Sequence, residues 1–158
     1  FQDTDIKITA FLVDHAPIEP AMGYRVDYKG RSVVISGDTV STDSLFIAAK
    51  DADLLLHDAL SVPALDAVIA AMKASGNDRT ASIVSDVHDY HAHSTNLEAQ
   101  SKKAGIKQLA FYHFVPVPTM PLIEKIFERG ISDDVIFTKD LMTFQMLPNS
   151  EEIIVTEP

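Results

Sequence analysis

The sequence predicts a mixed α/β domain, an α/β sandwich rather than a purely doubly wound sheet. Three observations support that class. The chain has 158 residues, which is enough for one domain with a substantial core. β-prone apolar runs alternate with helical patterns through its middle, whereas its two ends indicate hairpins. No internal repeat, low-complexity tract or linker divides the sequence, so residues 1–158 are expected to form a single domain.

The first third of the chain predicts three strands and one helix. The strands span residues 6–13, 23–28 and 31–36. The second and the third strand are expected to form a hairpin across a tight Lys29-Gly30 turn. Two prolines between the first and the second strand indicate a loop. Ser41 or Thr42 is expected to cap a helix that ends at Ala49.

The remainder of the chain predicts strands and helices in alternation. The strands span residues 52–57, 106–112, 135–138 and 142–147. The helices, each of which ends next to a glycine, span residues 62–75, 96–104 and 122–129. Residues 80–87 are compatible with either a strand or a helix, and the tail after Asn149 is expected to be loose.

Charge and composition restrict the classes of function. The formal net charge is −10 and no lysine or arginine cluster is visible, which disfavours a nucleic-acid partner. The absence of cysteine excludes a disulfide framework and a thiolate metal site. No apolar run approaches the roughly 18 residues of a transmembrane helix, so no membrane span is expected. The compartment stays open between the cytoplasm and a bacterial periplasm.

Side chains that can bind a metal or transfer a proton follow three of the predicted strands. Asp38 follows the Gly37 turn after one strand, His57-Asp58 ends another, and His113 ends a third. An unpaired carboxylate beside an apolar strand is costly, and catalytic groups collect at the carboxyl ends of strands in α/β folds. A lone histidine there is more often structural, but three such ends together favour a site. Nitrogen and oxygen ligands suit zinc, manganese or iron.

A polar loop at residues 86–95, DVHDYHAHST, contains three histidines. It does not contain H-x-H-x-D-H, the arrangement that supplies several metal ligands from one loop. One interpretation is a polar loop with incidental histidines. Another is a weak surface metal site, because His91 and His93 lie on one face of an extended segment.

These motifs together resemble the metallo-β-lactamase superfamily, and within it the ribonuclease Z and metallo-arylsulfatase group. The similar segments follow in order through nearly the whole chain: GYR at 23–25, GDT at 37–39, DLLLHDA at 53–59, DYH at 89–91, AGIK at 104–107 and YHF at 112–114. Each segment is weak alone, but the combination is specific. The resemblance implies that this chain is the C-terminal half of a four-layer αββα sandwich.

The resemblance implies a binuclear metal site, with two zinc ions expected and manganese or iron as alternatives. By that resemblance Asp38 bridges the two ions and His113 binds the second. The family's H-x-H-x-D-H motif and a further histidine ligand belong to the first half of the fold and are absent here. Two ligands are too few for a tight site, so this chain alone is expected to be inactive.

The resemblance also implies a catalytic histidine assisted by an acid. His91 precedes His113 by 22 residues and Gly105 by 14, which matches the family's spacing. His93 begins a His-Ser-Thr segment similar to the family's but lies two residues late, so it is the second candidate. Asp58 matches the acid that orients or relays protons with the histidine, although the family has glutamate there. Aspartate is one methylene shorter than glutamate, so the Asp58 carboxylate extends less far toward the histidine.

Two functional hypotheses follow. The first is a metal-dependent hydrolase of a small phosphodiester, sulfate or related ester, with His15 and His93 as candidate substrate-binding residues. The chain begins without methionine or signal peptide, so it is expected to be part of a longer polypeptide. A lost N-terminal segment or a partner chain would supply the missing half. The second hypothesis is a non-catalytic interaction module that pairs apolar strand edges in a homodimer.

Overall fold

A computed structural model describes residues 1–158 and contains eight strands and five helices. The strands are β1 (Ile6–Val13), β2 (Ala21–Tyr28), β3 (Arg31–Ile35), β4 (Leu54–Leu60), β5 (Gln108–Val115), β6 (Ile136–Phe137), β7 (Thr143–Gln145) and β8 (Ile154–Thr156). The helices are α1 (Asp43–Ala48), α2 (Val62–Ala74), α3 (Asp78–Ser85), α4 (Ser94–Lys103) and α5 (Pro121–Phe127), with a 3-10 turn at Asp86–Asp89. None of the helices has the length and apolarity needed to cross a membrane.

Six strands form one sheet in the order β1-β2-β3-β4-β5-β6, and β7 and β8 form a separate antiparallel pair. β2 is antiparallel to both β1 and β3, while β3, β4, β5 and β6 are mutually parallel neighbours. β1 therefore runs in the same direction as β3, β4 and β5. The carboxyl ends of these four strands meet at one edge of the sheet, here called the carboxyl edge.

Helices cover one face of this sheet. The main core cluster joins apolar residues of the central strands to residues of α1, α4 and α5, among them Val34, Leu55, Phe111, Leu45, Leu97 and Phe127. A smaller cluster, formed by Leu60, Leu65, Ile69 and Ala81, packs α2 and α3 against the end of β4. Burial of each large side chain contributes about 1.5–3 kcal/mol, which fixes the helices on this face.

The other face of β1, β2 and β3 keeps large apolar side chains exposed. Leu12, Tyr24, Tyr28 and Ile35 are 64%, 45%, 46% and 37% exposed. Strand alternation and the antiparallel register, which places Tyr24 opposite Ile35, put all four on the same side of the sheet. We call these four residues the open face. An apolar surface of this kind is typical of an interaction site.

The predicted mixed α/β class is confirmed, and most predicted elements occur within a few residues of their expected bounds. The ambiguous segment 80–87 is helical, because α3 and the following 3-10 turn occupy it and bury Ala81 against α2. The expectation of a loose tail is wrong. β8 pairs with β7 in antiparallel register, a contact that the polar sequence around it does not reveal.

Two strands extend further than the sequence indicates. β4 was expected to end at His57-Asp58, but it continues to Leu60, so Asp58 lies inside the strand. β5 likewise passes through His113 to Val115. Each strand provides the other with its extra pairing, since Leu60 lies opposite Val115.

Candidate active site

Gly37 places Asp38 at the carboxyl edge. Gly37 has φ +69°, and a Cβ there would lie 2.5 Å from the main-chain oxygen of Met22, so no other residue fits this turn without strain. The buried Thr39 then accepts a hydrogen bond from the Asp14 amide through Oγ1 at 3.1 Å. This bond holds the loop after β1 against the turn, and Asp38 remains 42% exposed.

His113 is the extra residue of a β-bulge in β5. Asp58 pairs with Tyr112 and Ala59 pairs with Phe114, which leaves His113 without a partner opposite it. Its φ is +45°, an unfavourable conformation that costs a non-glycine residue about 1–3 kcal/mol. The bulge brings His113 Nε2 to 3.4 Å from Asp38 Oδ2, with both side chains nearly half exposed. The two predicted metal ligands therefore lie side by side.

Asp58 and His91 form a buried hydrogen-bonded pair beside them. Asp58 is fully buried and His91 is 6% exposed, and His91 Nδ1 lies 2.8 Å from Asp58 Oδ2. The Leu60 amide donates to the Ala92 carbonyl at 2.7 Å, which holds the segment of His91 on β4. Because an ionised carboxylate only accepts, His91 Nδ1 must donate, and its Nε2 is left to exchange a proton.

Two imidazoles keep the Asp58 carboxyl ionised. Burial alone would raise the pKa of Asp58, but the adjacent His57 and His91 rings outweigh it, and the pKa lies below its usual range. His57 Nδ1 lies 2.9 Å from Asp58 Oδ1 and 2.8 Å from the main-chain oxygen of Asp58. Its N–H is aimed at that carbonyl, so the approach to Oδ1 is oblique and Oδ1 has no well-aligned donor.

A group of neighbouring aromatic rings connects these two pairs. The ring centroids of His91 and His113 are 5.4 Å apart, with the planes inclined by 27°. His15 lies 5.3 Å from His91 and 5.0 Å from Tyr90, which itself lies 5.1 Å from His91. The structure thus brings His15 to the predicted site. It also places Tyr90 there, a residue that no motif in the sequence assigns to the site although it directly precedes His91.

The three histidines of the 86–95 loop have different surroundings. His88 Nδ1 donates to the Ser85 carbonyl oxygen at 2.9 Å, and its Nε2 lies 3.1 Å from Asp66 Oδ1 on α2. His91 is buried in the site, whereas His93 is exposed and precedes α4 without a side-chain cap. The two side chains therefore do not share one exposed face, and the interpretation as a surface metal site formed by His91 and His93 is wrong.

Asp38 and His113 fit one side of a metal site but do not complete one. A carboxylate oxygen and an imidazole nitrogen, both accessible and 3.4 Å apart, are suitable donors for a divalent cation. The chain contains no cluster of three or more histidine, cysteine or acidic side chains arranged to hold a metal.

No family model matches the chain, but individual relatives do. It is 33% identical over 111 residues to ribonuclease Z of Mycobacterium tuberculosis (strain H37Rv), covering 70% of this chain and 37% of that protein. It is 32% identical over 111 residues to ribonuclease Z of Mycobacterium avium (strain 104), covering 70% of this chain and 36% of that protein. The chain spans less than half the length of the curated relatives that it matches.

Solved structures share the fold. The metallo-beta-lactamase fold protein YhfI from Bacillus subtilis matches 99% of this chain and 52% of its own, with a TM-score of 0.59 and 18% identity. Human tRNase Z, short form, matches 72% of this chain and 38% of its own, with a TM-score of 0.50 and 26% identity. Both matched chains extend well beyond the part that corresponds to this one.

Proposed function

Because the chain belongs to the metallo-β-lactamase superfamily and is related to its ribonuclease Z branch, we propose that it supplies half of the active site of a metal-dependent phosphodiester hydrolase. The observation that supports the proposal is that two pairs of side chains lie next to each other at the carboxyl edge. The Asp38–His113 pair and the Asp58–His91 pair come from distant parts of the chain, and His91 stacks on His113.

In this proposal Asp38 and His113 hold the metal together with ligands from the missing half, supplied by a longer polypeptide or by a partner chain. Zinc is the expected ion. A bound metal of this kind polarises the ester and lowers the pKa of a water molecule. His91 protonates the leaving oxygen from Nε2, since its Nδ1–H is held by Asp58 Oδ2 at 2.8 Å. Asp58 fixes the orientation of the His91 ring.

The proposed substrate is a small phosphodiester. The net charge of −10 disfavours a long RNA, since each phosphate contact draws on a basic surface. The relatives are named ribonuclease Z and tRNase Z, so RNA remains the alternative that the experiment must address. His15 and Tyr90 lie beside His91 and are proposed to contact the substrate, with the exposed His93 as a further candidate.

The experiment uses the complete protein, purified with zinc. Metal content and hydrolysis of bis(p-nitrophenyl) phosphate, p-nitrophenyl sulfate and a tRNA precursor are measured in parallel. We expect the diester to be cleaved fastest, and Asp38→Ala to abolish both metal loading and cleavage. Asp66→Ala, which removes a 63% exposed carboxylate outside the site, serves as the matched control and should keep both. An Asp38→Ala variant that stays loaded and active refutes the ligand assignment.

A second candidate function is favoured by the open face. Its four apolar side chains suit a non-catalytic module that associates with another sheet, including a second copy of this chain. Intact-mass measurement of the protein in its source separates the candidates. A longer polypeptide, or a co-purifying chain that carries the missing ligands, supports the hydrolase. A 158-residue species without zinc supports the module.

A further inference from the structure

His57 is a buried imidazole to which neither the proposed mechanism nor the family resemblance gives a task. Its side chain is fully inaccessible, and its ring stacks on Phe46 of α1 with centroids 6.3 Å apart and planes inclined by 21°. Its Nε2 is buried and has no hydrogen-bond partner. A buried polar atom without a partner is costly, so the polar contacts that offset this cost must be made by the other ring nitrogen.

That other nitrogen faces Asp58. Nδ1 lies 2.8 Å from the Asp58 carbonyl oxygen and 2.9 Å from Asp58 Oδ1. Both neighbours are acceptors, so Nδ1 carries the proton and Nε2 carries a lone pair directed into apolar surroundings. The same carboxylate accepts from His91 Nδ1 through Oδ2 at 2.8 Å. Asp58 therefore lies between two imidazoles, one buried in the core and one in the site.

From this arrangement we infer that His57 is a positioning residue, which holds the Asp58 carboxylate so that Oδ2 receives His91. Asp58 Oδ1 has no well-aligned donor of its own, and the Nδ1–H of His57 approaches it obliquely at 2.9 Å. Without that group the buried carboxylate would be free to rotate or to turn toward other donors. The inference rests on the proposed function only where activity is used as a readout.

Two conservative variants separate this role from simple packing. In His57→Asn the amide nitrogen occupies the place of Nδ1 and keeps a donor near Asp58. In His57→Gln the amide reaches the place of Nε2 and loses that donor, although the polarity of the two side chains is the same. The Asn variant removes more of the contact with Phe46, so a packing role predicts the opposite order of damage.

The first readout is the ring ¹H–¹⁵N spectrum of the complete protein. A hydrogen-bonded His91 Nδ1–H gives a downfield proton signal, assigned by its loss in His91→Ala. We expect the signal to persist in His57→Asn and to disappear in His57→Gln. An unchanged signal in His57→Gln, or its loss in the Asn variant, overturns the inference. If the Gln variant does not fold, the Asn variant decides alone.

The second readout is diester hydrolysis by the complete protein. We expect His57→Gln to lower kcat about 10–100-fold with little change in KM, as is usual when an outer residue orients a catalytic group. His57→Asn should stay within a few-fold of the parent. A protein that hydrolyses no ester at all refutes the proposed function, while the His91 signal still tests the positioning by His57. Equal activity in all three proteins refutes the positioning alone.

Discussion

At the residue scale, the main constraint on the site is the shape of the turns that carry its ligands. Gly37 and His113 both have positive φ, and both lie next to the predicted metal. The glycine adopts this conformation at little cost, but the histidine does not. Strain held at His113 indicates that the direction of its side chain matters more than the stability of the strand that carries it.

Replacing Gly37 tests the turn. Gly37→Ala should lose more stability than Gly30→Ala, because both residues have positive φ but only at Gly37 does a Cβ meet the Met22 oxygen, at 2.5 Å. The left-handed backbone alone costs about 1–2 kcal/mol per residue, and the contact adds to it. Urea unfolding of the two variants measures the difference. Equal losses would show that Met22 moves away freely.

Two alanine variants test whether His91 or His93 is the catalytic histidine. His91→Ala in the complete protein should lower kcat about 10²–10⁴-fold, the range for a general acid, because the buried pair with Asp58 is lost. His93→Ala should have a much smaller effect, since that side chain is exposed. Steady-state hydrolysis of a diester measures both. A larger loss in His93→Ala would reverse the assignment.

At the element scale, polar contacts of one carboxylate connect the starts of β3, β4 and β5, at the end of the sheet opposite to the site. Asp53, directly before β4, accepts from the Ser32 amide of β3 at 2.8 Å. It also lies 3.3 Å from Arg31 Nε and 3.2 Å from Lys107 Nζ, which directly precedes β5. One carboxylate thus aligns the starts of three parallel strands, and this alignment carries through to the carboxyl edge.

This carboxylate predicts how stability depends on pH. Burial raises the pKa of Asp53, but the Ser32 amide, Lys107 and Arg31 outweigh it, so the folded-state pKa lies below its usual value. Its stabilisation is therefore complete above the unfolded-state pKa of about 3.9 and is lost as the pH falls through the lower folded value. Asp53→Asn should cost about 1.5–3 kcal/mol near neutral pH and flatten the acid side of the profile. Urea unfolding of the parent and of Asp53→Asn, between about pH 2 and pH 7, measures the free energy of unfolding across the range in which carboxylates titrate. Parallel pH profiles of the two proteins would show that Asp53 does not cause this pH dependence.

The elements show how far local sequence signals reach. β1 has the predicted bounds, and Thr42 caps α1 as one of the two predicted residues, because alternation and capping are local. β4 and β5 are longer than predicted because their last pairings depend on each other across more than fifty residues. The His113 bulge follows from the same register. The Asp58–His91 contact was expected from a family resemblance, but the contact between His57 and Asp58 required the three-dimensional structure.

At the scale of the whole molecule, the fold is asymmetric. One face of the sheet is covered by α1, α4 and α5, and the open face keeps four large apolar side chains exposed. The site lies at an edge of this sheet with only part of a metal ligand set. Both features have the same explanation in the proposed function, which is that a second half packs against this one.

The open face predicts self-association when that half is absent. At tens of micromolar, we expect the 158-residue chain to sediment as a dimer or larger species, as exposed apolar patches favour. Tyr24→Lys with Ile35→Lys should make it monomeric, because both substitutions place charge on the open face. Ile83→Lys changes a residue that is 60% exposed on α3 and should leave association unchanged. A monomeric parent chain would contradict this prediction.

The arrangement of the sheet also has a consequence for biosynthesis. The carboxyl edge combines the ends of β1, β3, β4 and β5, so the site uses residues from His15 to His113. A nascent chain cannot form the Asp38–His113 pair until β5 has left the ribosome. Parallel pairing over such separations is slow, since loop-closure entropy is lost before the contacts form. A stalled or truncated product that ends before β5 therefore carries Asp38 and Asp58 without His113, and under the proposed function it lacks one of the two predicted metal ligands.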